Sequence, residues 1–95
     1  MDNNQEGAKV NRVKVVIHGV EYTVRGTSPE ERIQEVAKMV DRTMNEIAAT
    51  ASYMDERRIA VLAALNLADE LYELRKDYKE LLALLEEQTG GRSSS

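Results

Sequence analysis

The sequence predicts an α+β fold: a small head of one β-hairpin plus a helix, followed by a long C-terminal coiled-coil helix that makes the protein oligomeric. Three observations predict it. Apolar and polar residues alternate with period two from Val13 to Arg25, a helix-start signal at 27–31 precedes a helical stripe, and a helical pattern runs unbroken from Asp55 to Glu87. A chain of 95 residues has room for one small core.

These patterns divide the chain into four segments. We expect residues 1–9 to be disordered because they are polar and lack periodicity. Residues 10–54 form the head, and residues 55–88 form the long helix, with a coiled coil in its distal half. Residues 89–95 have the composition of a linker and are expected to be a flexible tail.

The first element is a hairpin around His18-Gly19. A two-residue loop between two segments of alternating apolar and polar residues places the apolar residues of both strands on one face. The predicted apolar pairs are Ile17 with Val20, Val15 with Tyr22, and Val13 with Val24. On the opposite face the register pairs Arg12 with Arg25, and these like charges argue against a longer ladder. A lone hairpin is marginally stable in water, so it must pack on helices or on another chain.

The second element is an amphipathic helix from about Pro29 to Ala49. Ser28 is expected to cap it, Pro29 fits the first helical position, and Glu31 can complete a capping box. Apolar residues then recur at helical spacing and form one stripe. The members of the stripe are Ile33, Val36, Ala37, Val40, Met44, Ile47 and Ala48.

The third element is the long helix, which either Ser52 or Asp55 could cap. Its roughly 33 residues give a rod of roughly 50 Å, whereas a globule of this chain length has a radius of gyration near ~13 Å. The far half of the helix therefore cannot be covered by the head. Its apolar positions alternate in steps of four and three, as in a coiled coil. These positions are Ala60, Ala64, Leu67, Leu71, Leu74, Tyr78, Leu81, Leu85 and Gln88.

This stripe predicts self-association, although Ala60 to Leu71 could instead belong to the core of the head. Seven apolar residues from Leu71 onward represent on the order of 10–20 kcal/mol of available burial, comparable with the ~5–15 kcal/mol stability of a domain. Leu82 and Leu84 widen the stripe beyond a two-stranded seam. We expect a dimer through the head and upper helix, paired into a tetramer by the distal helix, with helix polarity left open. The predicted oligomerisation residues are Leu67, Leu71, Leu74, Tyr78, Leu81, Leu82, Leu84 and Leu85.

The composition argues against catalysis and against several kinds of ligand. The chain has no cysteine and one histidine, which excludes thiolate chemistry and multi-histidine metal sites, and His18 is expected to be a turn residue. A net charge of -4 disfavours nucleic-acid binding, and no apolar run approaches the roughly 20 residues of a membrane span. We therefore expect a cytoplasmic protein that is not an enzyme and needs no cofactor, metal, nucleic acid, membrane or small-molecule substrate.

Two segments give the chain a family likeness. The first segment is Val15-Val16-Ile17-His18-Gly19-Val20-Glu21-Tyr22-Thr23-Val24, followed by Ser28-Pro29-Glu30. The second segment comes after the intervening helix and is Ala63-Ala64-Leu65-Asn66-Leu67-Ala68-Asp69-Glu70-Leu71. From about Val13 to Leu85 the chain resembles the ZapA family of bacterial cell-division proteins. The resemblance implies a protein at the division site that binds the tubulin-like GTPase FtsZ. It also implies bundling or cross-linking of FtsZ protofilaments, stabilisation of the Z-ring and slower GTP turnover.

A contact with FtsZ filaments needs an exposed docking surface. We expect it on the polar face of the hairpin, at Arg12, Lys14, Glu21 and Arg25, because a small surface of mixed charge on a rigid element suits a transient contact. The alternative is that these residues are only solvated. An alternative function is a generic coiled-coil oligomerisation module or adaptor for another protein.

Overall fold

The computed structural model describes residues 9–94, with side-chain surroundings as far as residue 89. It contains strands β1 (Asn11–Ile17) and β2 (Val20–Gly26), helix α1 (Glu30–Thr50) and helix α2 (Glu56–Ser94). The α+β architecture predicted from the sequence is confirmed. The predicted disorder at 1–8 and the last residue of the predicted tail lie outside the described residues.

The hairpin has the predicted register. β1 and β2 are antiparallel, with Ile17 opposite Val20 and Val15 opposite Tyr22. His18 and Gly19 have φ values of 50° and 80°, the two consecutive positive values that a two-residue type I′ loop requires. The ladder includes the Arg12–Arg25 pair and ends one pair beyond it, at Asn11 and Gly26. Repulsion between the two arginines therefore does not shorten the ladder, because both side chains are exposed to solvent.

The start of α1 differs from the prediction. Pro29 is the N-cap residue, with φ -60° and ψ 152°, and no side chain caps the helix. The carbonyl oxygen of Pro29 accepts hydrogen bonds from the N–H groups of Arg32 and Ile33, at 3.0 and 3.1 Å. The predicted capping box of Ser28 and Glu31 is wrong because Pro29, and not Ser28, is the N-cap residue, so Ser28 lies one residue too early to cap the helix. The backbone carbonyl of Ser28 accepts a hydrogen bond from the side-chain amide of Asn11. That bond joins the first residue of β1 to the loop before α1.

The head contains two small clusters of buried apolar side chains. In the first, α1 covers β1: Val13 and Val15, the most buried residues of the hairpin, pack with Ile33 and Ala37. In the second, Met44 of α1 packs with Ile59 and Ala63 of α2. The inward-facing apolar residues of β1 and the apolar stripe of α1 thus face each other, as the periodicities of a strand and a helix require.

Helix α2 begins where Asp55 caps it, since Asp55 Oδ1 accepts the N–H of Arg58 at 2.9 Å. The residues that α2 contributes to the head core are Ile59 and Ala63, whereas the stripe positions Ala60 and Ala64 are exposed. Each core residue precedes a stripe residue by one position, which is about 100° around the helix. The coiled-coil stripe and the head core are therefore different faces of α2.

The chain divides into two compact units, one up to Ala64 and one from Leu65 onward. The first unit is larger than the predicted head of 10–54 because it includes the first turns of α2. At its other end α2 continues to Ser94, through residues that we expected to form a flexible tail. Gly90 and Gly91 each lower helix stability by about 1 kcal/mol. Glycine nevertheless keeps the backbone N–H donor that proline lacks, so the helical hydrogen bonds can continue through both residues.

Candidate functional site

The first candidate surface is the apolar stripe on the distal part of α2. From Leu71 to Leu85 its side chains are between 44% and 65% exposed. Leu67, at its upper end, is partly buried. Burying the exposed half of these side chains represents on the order of 5–10 kcal/mol per chain. The exposed residues are Leu71, Leu74, Tyr78, Leu81, Leu82, Leu84 and Leu85.

The stripe has the geometry of a seam that widens toward the end of the helix. With Leu71 and Leu74 at the a and d positions of the heptad, Tyr78, Leu81 and Leu85 continue the seam. Leu82 and Leu84 then fall at e and g, on opposite sides of it. A narrow stripe serves two helices, whereas a broad one serves three or more. An exposed apolar surface of this form on a single chain is typical of an interface between helices.

The second candidate surface is the outer face of the hairpin. Arg12, Lys14, Glu21 and Arg25 are all exposed, and the register brings them to one face. Arg12 lies directly opposite Arg25, and Lys14 lies opposite Thr23. The three basic residues therefore cluster toward the open end of the hairpin, with Glu21 near the turn. Gln34 of α1 donates a hydrogen bond to the carbonyl of Lys14 at 3.1 Å, which fixes the strand that carries this face.

His18 does more than form a turn, because it joins the hairpin to both helices. Its backbone N–H donates to Asp41 Oδ1 of α1 at 2.7 Å. Its ring Nδ1 lies 2.8 and 2.9 Å from the two carboxylate oxygens of Glu56, in the first turn of α2. Because a carboxylate only accepts, this contact requires a proton on Nδ1. The sequence predicts only a turn residue here, and its periodicity does not point to Asp41 or Glu56, which come from 23 and 38 residues away.

An apolar groove also runs between β2 and α1. It has a volume of about 380 Å³, and its lining includes Ile17, Val24, Val36 and Val40. Val20 and Tyr22, the β2 residues next in line on the same face of the hairpin, are 44% and 46% exposed. Helix α1 thus covers the β1 side of this face and leaves the β2 side open.

Residues 9–94 contain no group of three or more histidine, aspartate or glutamate residues arranged to hold a metal ion. Within the same part of the chain, neither helix combines the length and the apolar character needed to span a membrane.

Comparison with known proteins identifies the family. The family model for cell division protein ZapA matches residues 13–90. The chain belongs to the ZapA family. Cell division protein ZapA of Geobacillus thermodenitrificans is 39% identical over 80 residues, covering 84% of this chain and 88% of that protein. The ZapA protein of Halalkalibacterium halodurans is 39% identical over 77 residues, covering 81% of this chain and 80% of that protein.

The fold agrees with that of a solved ZapA structure. A structure described as a ZapA mutant dimer from Geobacillus stearothermophilus superposes with a TM-score of 0.66 at 33% identity. It covers 82% of this chain and 91% of the other. The resemblance to ZapA found in the sequence is therefore confirmed, and the protein is a member of a family of cell-division proteins. The matched range contains the whole seam, and on the hairpin face it contains Lys14, Glu21 and Arg25.

The contact between Asp41 and His18 predicts a measurable effect in this ZapA-family chain. Asp41→Ala leaves the part-buried N–H of His18 without its acceptor and should lower the free energy of unfolding by about 1–2 kcal/mol. Asp41→Asn keeps an oxygen at that position and should lose less than half as much. Urea unfolding followed by circular dichroism, at one fixed protein concentration, measures both variants. Equal losses would show that Asp41 does not act through this hydrogen bond.

Proposed function

We propose that this protein is a non-enzymatic cross-linker of FtsZ filaments that acts in the cytoplasm at the division site. It binds FtsZ through the head, assembles with itself through α2, and thereby bundles protofilaments, stabilises the Z-ring and lowers GTP turnover. The observation that carries the proposal is the exposed seam of α2 in a member of the ZapA family. An assembly held together by that seam contains several copies of the chain, and therefore several copies of any filament-binding face.

The division of the chain supports this role. The hairpin face belongs to the unit that ends at Ala64, and the seam from Leu67 to Leu85 belongs to the unit that begins at Leu65. One surface can therefore bind filaments while the other binds further copies of the chain. Cross-linking then needs only geometry: two or more heads on one assembly bind two filaments, and avidity makes weak single contacts sufficient.

The groove between β2 and α1 supports self-association of the head as well. It is apolar, open to solvent and flanked by the exposed side chains of Val20 and Tyr22. The related chain from Geobacillus stearothermophilus is described as a dimer. A head-to-head dimer that covers this groove, joined to a second dimer by the wide distal seam, would give a tetramer with filament-binding faces on both dimers.

The docking surface can be tested by co-sedimentation with FtsZ filaments assembled with GTP. The wild-type protein should pellet with the filaments, whereas a generic oligomerisation module would stay in the supernatant. Lys14→Glu combined with Arg25→Glu should reduce the pelleted fraction severalfold, because both changes reverse exposed charges. Lys38→Glu, which reverses one charge at an exposed side chain on α1, is the control for each single reversal. Unaltered pelleting of the double variant would rule out the hairpin face.

The seam can be tested by adding charge to its distal end. Leu81→Glu with Leu85→Glu should reduce a tetramer to dimers and abolish bundling, since buried unpaired carboxylates are costly. Ala83→Glu, on the opposite side of the same turns, should leave the assembly unchanged. Sedimentation velocity gives the mass, and electron microscopy of FtsZ shows bundling. A double variant that remains tetrameric would contradict the assignment of the seam.

A further inference from the structure

The charged residues beside the seam of α2 are sorted by sign between residues 70 and 80. On the g and c side of the stripe every residue is acidic, whereas the b and e side holds no acidic residue and two basic ones. Lys76, at f, adds a third positive charge on the outer surface. The acidic flank consists of Glu70, Glu73, Asp77 and Glu80, and the opposite flank consists of Tyr72, Arg75 and Lys79.

The side-chain positions agree with this assignment. Tyr72, Arg75, Lys76 and Lys79 line one shallow depression of about 370 Å³, with Glu80 of the acidic flank at its border, and all five are exposed. Within this segment, Lys76 forms an ion pair with Glu80 along the helix, at 4.0 Å. Two flanks of opposite sign therefore lie on either side of a stripe of exposed apolar side chains.

The sign of each flank determines which direction a second helix can take. When two helices run in the same direction and in register, the g position of one lies beside the e position five residues later in the other. Glu70 of one copy then meets Arg75 of the second copy, and the pair occurs twice because the arrangement is symmetric. When the helices are antiparallel, g lies beside g and e beside e, so acidic flank would face acidic flank.

We propose that Glu70 and Arg75 are the residues that set register between two copies of this chain, through reciprocal ion pairs across a parallel seam. The proposal rests on the proposed self-association and adds its specificity determinants. The partner on this surface is a second copy of the chain, because the acidic flank and the basic flank of one helix complement each other when two copies pair. The chain recognises itself through two oppositely charged sides of one segment.

The pairing is confined to one heptad. One heptad earlier, g is Ala63, which is buried in the head core, and e is Ala68. One heptad later, g is Asp77 and e is Leu82. Neither of these positions can form an ion pair. Charge therefore specifies the register at residues 70–75, while the apolar residues beyond Asp77 supply the wider surface for additional helices.

A charge-swap series tests the pair. Glu70→Arg or Arg75→Glu alone places like charges together twice per dimer and should raise the dimer dissociation constant about tenfold. The combined variant restores opposite charges and should return to within about twofold of the wild type. Lys76→Glu, which makes the same charge change as Arg75→Glu at an outer position, should have little effect. Sedimentation equilibrium at low salt measures the dissociation constants of the wild type and the four variants.

The absence of cysteine allows a second, independent measurement of polarity. Leu74→Cys and Leu81→Cys, made one at a time and oxidised with copper phenanthroline, should both form covalent dimers, because equivalent d positions face each other in a parallel seam. An antiparallel seam can bring together only one of the two. Cross-linking at a single position would overturn the proposal.

The outcomes separate this proposal from the proposed function. If the protein associates but single and combined charge variants are equally weak, or Lys76→Glu weakens it as much as Arg75→Glu, the ion pair is wrong and self-association stands. If the wild-type chain is a monomer at tens of micromolar, both proposals fail. Rescue by the combined variant together with cross-links at both positions supports the pair.

Discussion

The continuity of α2 is the constraint on which the rest of the molecule depends. No glycine or proline interrupts the sequence from Glu56 to Gln88, so no residue in this segment is expected to break the helix. The head core takes Ile59 and Ala63 from the helix. Every large apolar residue of the stripe from Leu71 onward is left about half exposed. Because apolar surface on that scale is unfavourable in water, further copies of the same helix are the natural cover.

The head places two kinds of surface on one hairpin. A two-stranded sheet cannot hold itself together in water, so α1 must cover one face, and Val13 and Val15 carry that contact. Successive side chains of a strand point to opposite faces, and the opposite face is polar apart from Val16. The turn at His18 is fixed by Asp41 of α1 and Glu56 of α2. The same hairpin can therefore present a rigid charged face outward while its β2 side leaves an apolar groove open to solvent.

The sequence was most informative where structure depends on near neighbours. The hairpin register followed from period-two alternation and the His18-Gly19 turn, because each pair is fixed by its distance from the turn. The capping box failed because the helix is capped one residue later, at Pro29. The bond from Asn11 to the carbonyl of Ser28, 17 residues away, was not predicted, since periodicity carries no information about such partners. For the same reason Asp41 and Glu56 were not identified. The seam was located by its heptads, and its role and that of the hairpin face remain predictions, since both concern surfaces that a single chain leaves uncovered.

The claim that this helix needs further copies of itself is tested most directly by the mass of the protein in solution. Multi-angle light scattering across a range from one to one hundred micromolar should give two or four times the 10.7 kDa of one chain, with dissociation only at the lowest concentrations. Circular dichroism of the same sample should show a helical protein. A particle of single-chain mass that remains helical and folded throughout this range would contradict the account.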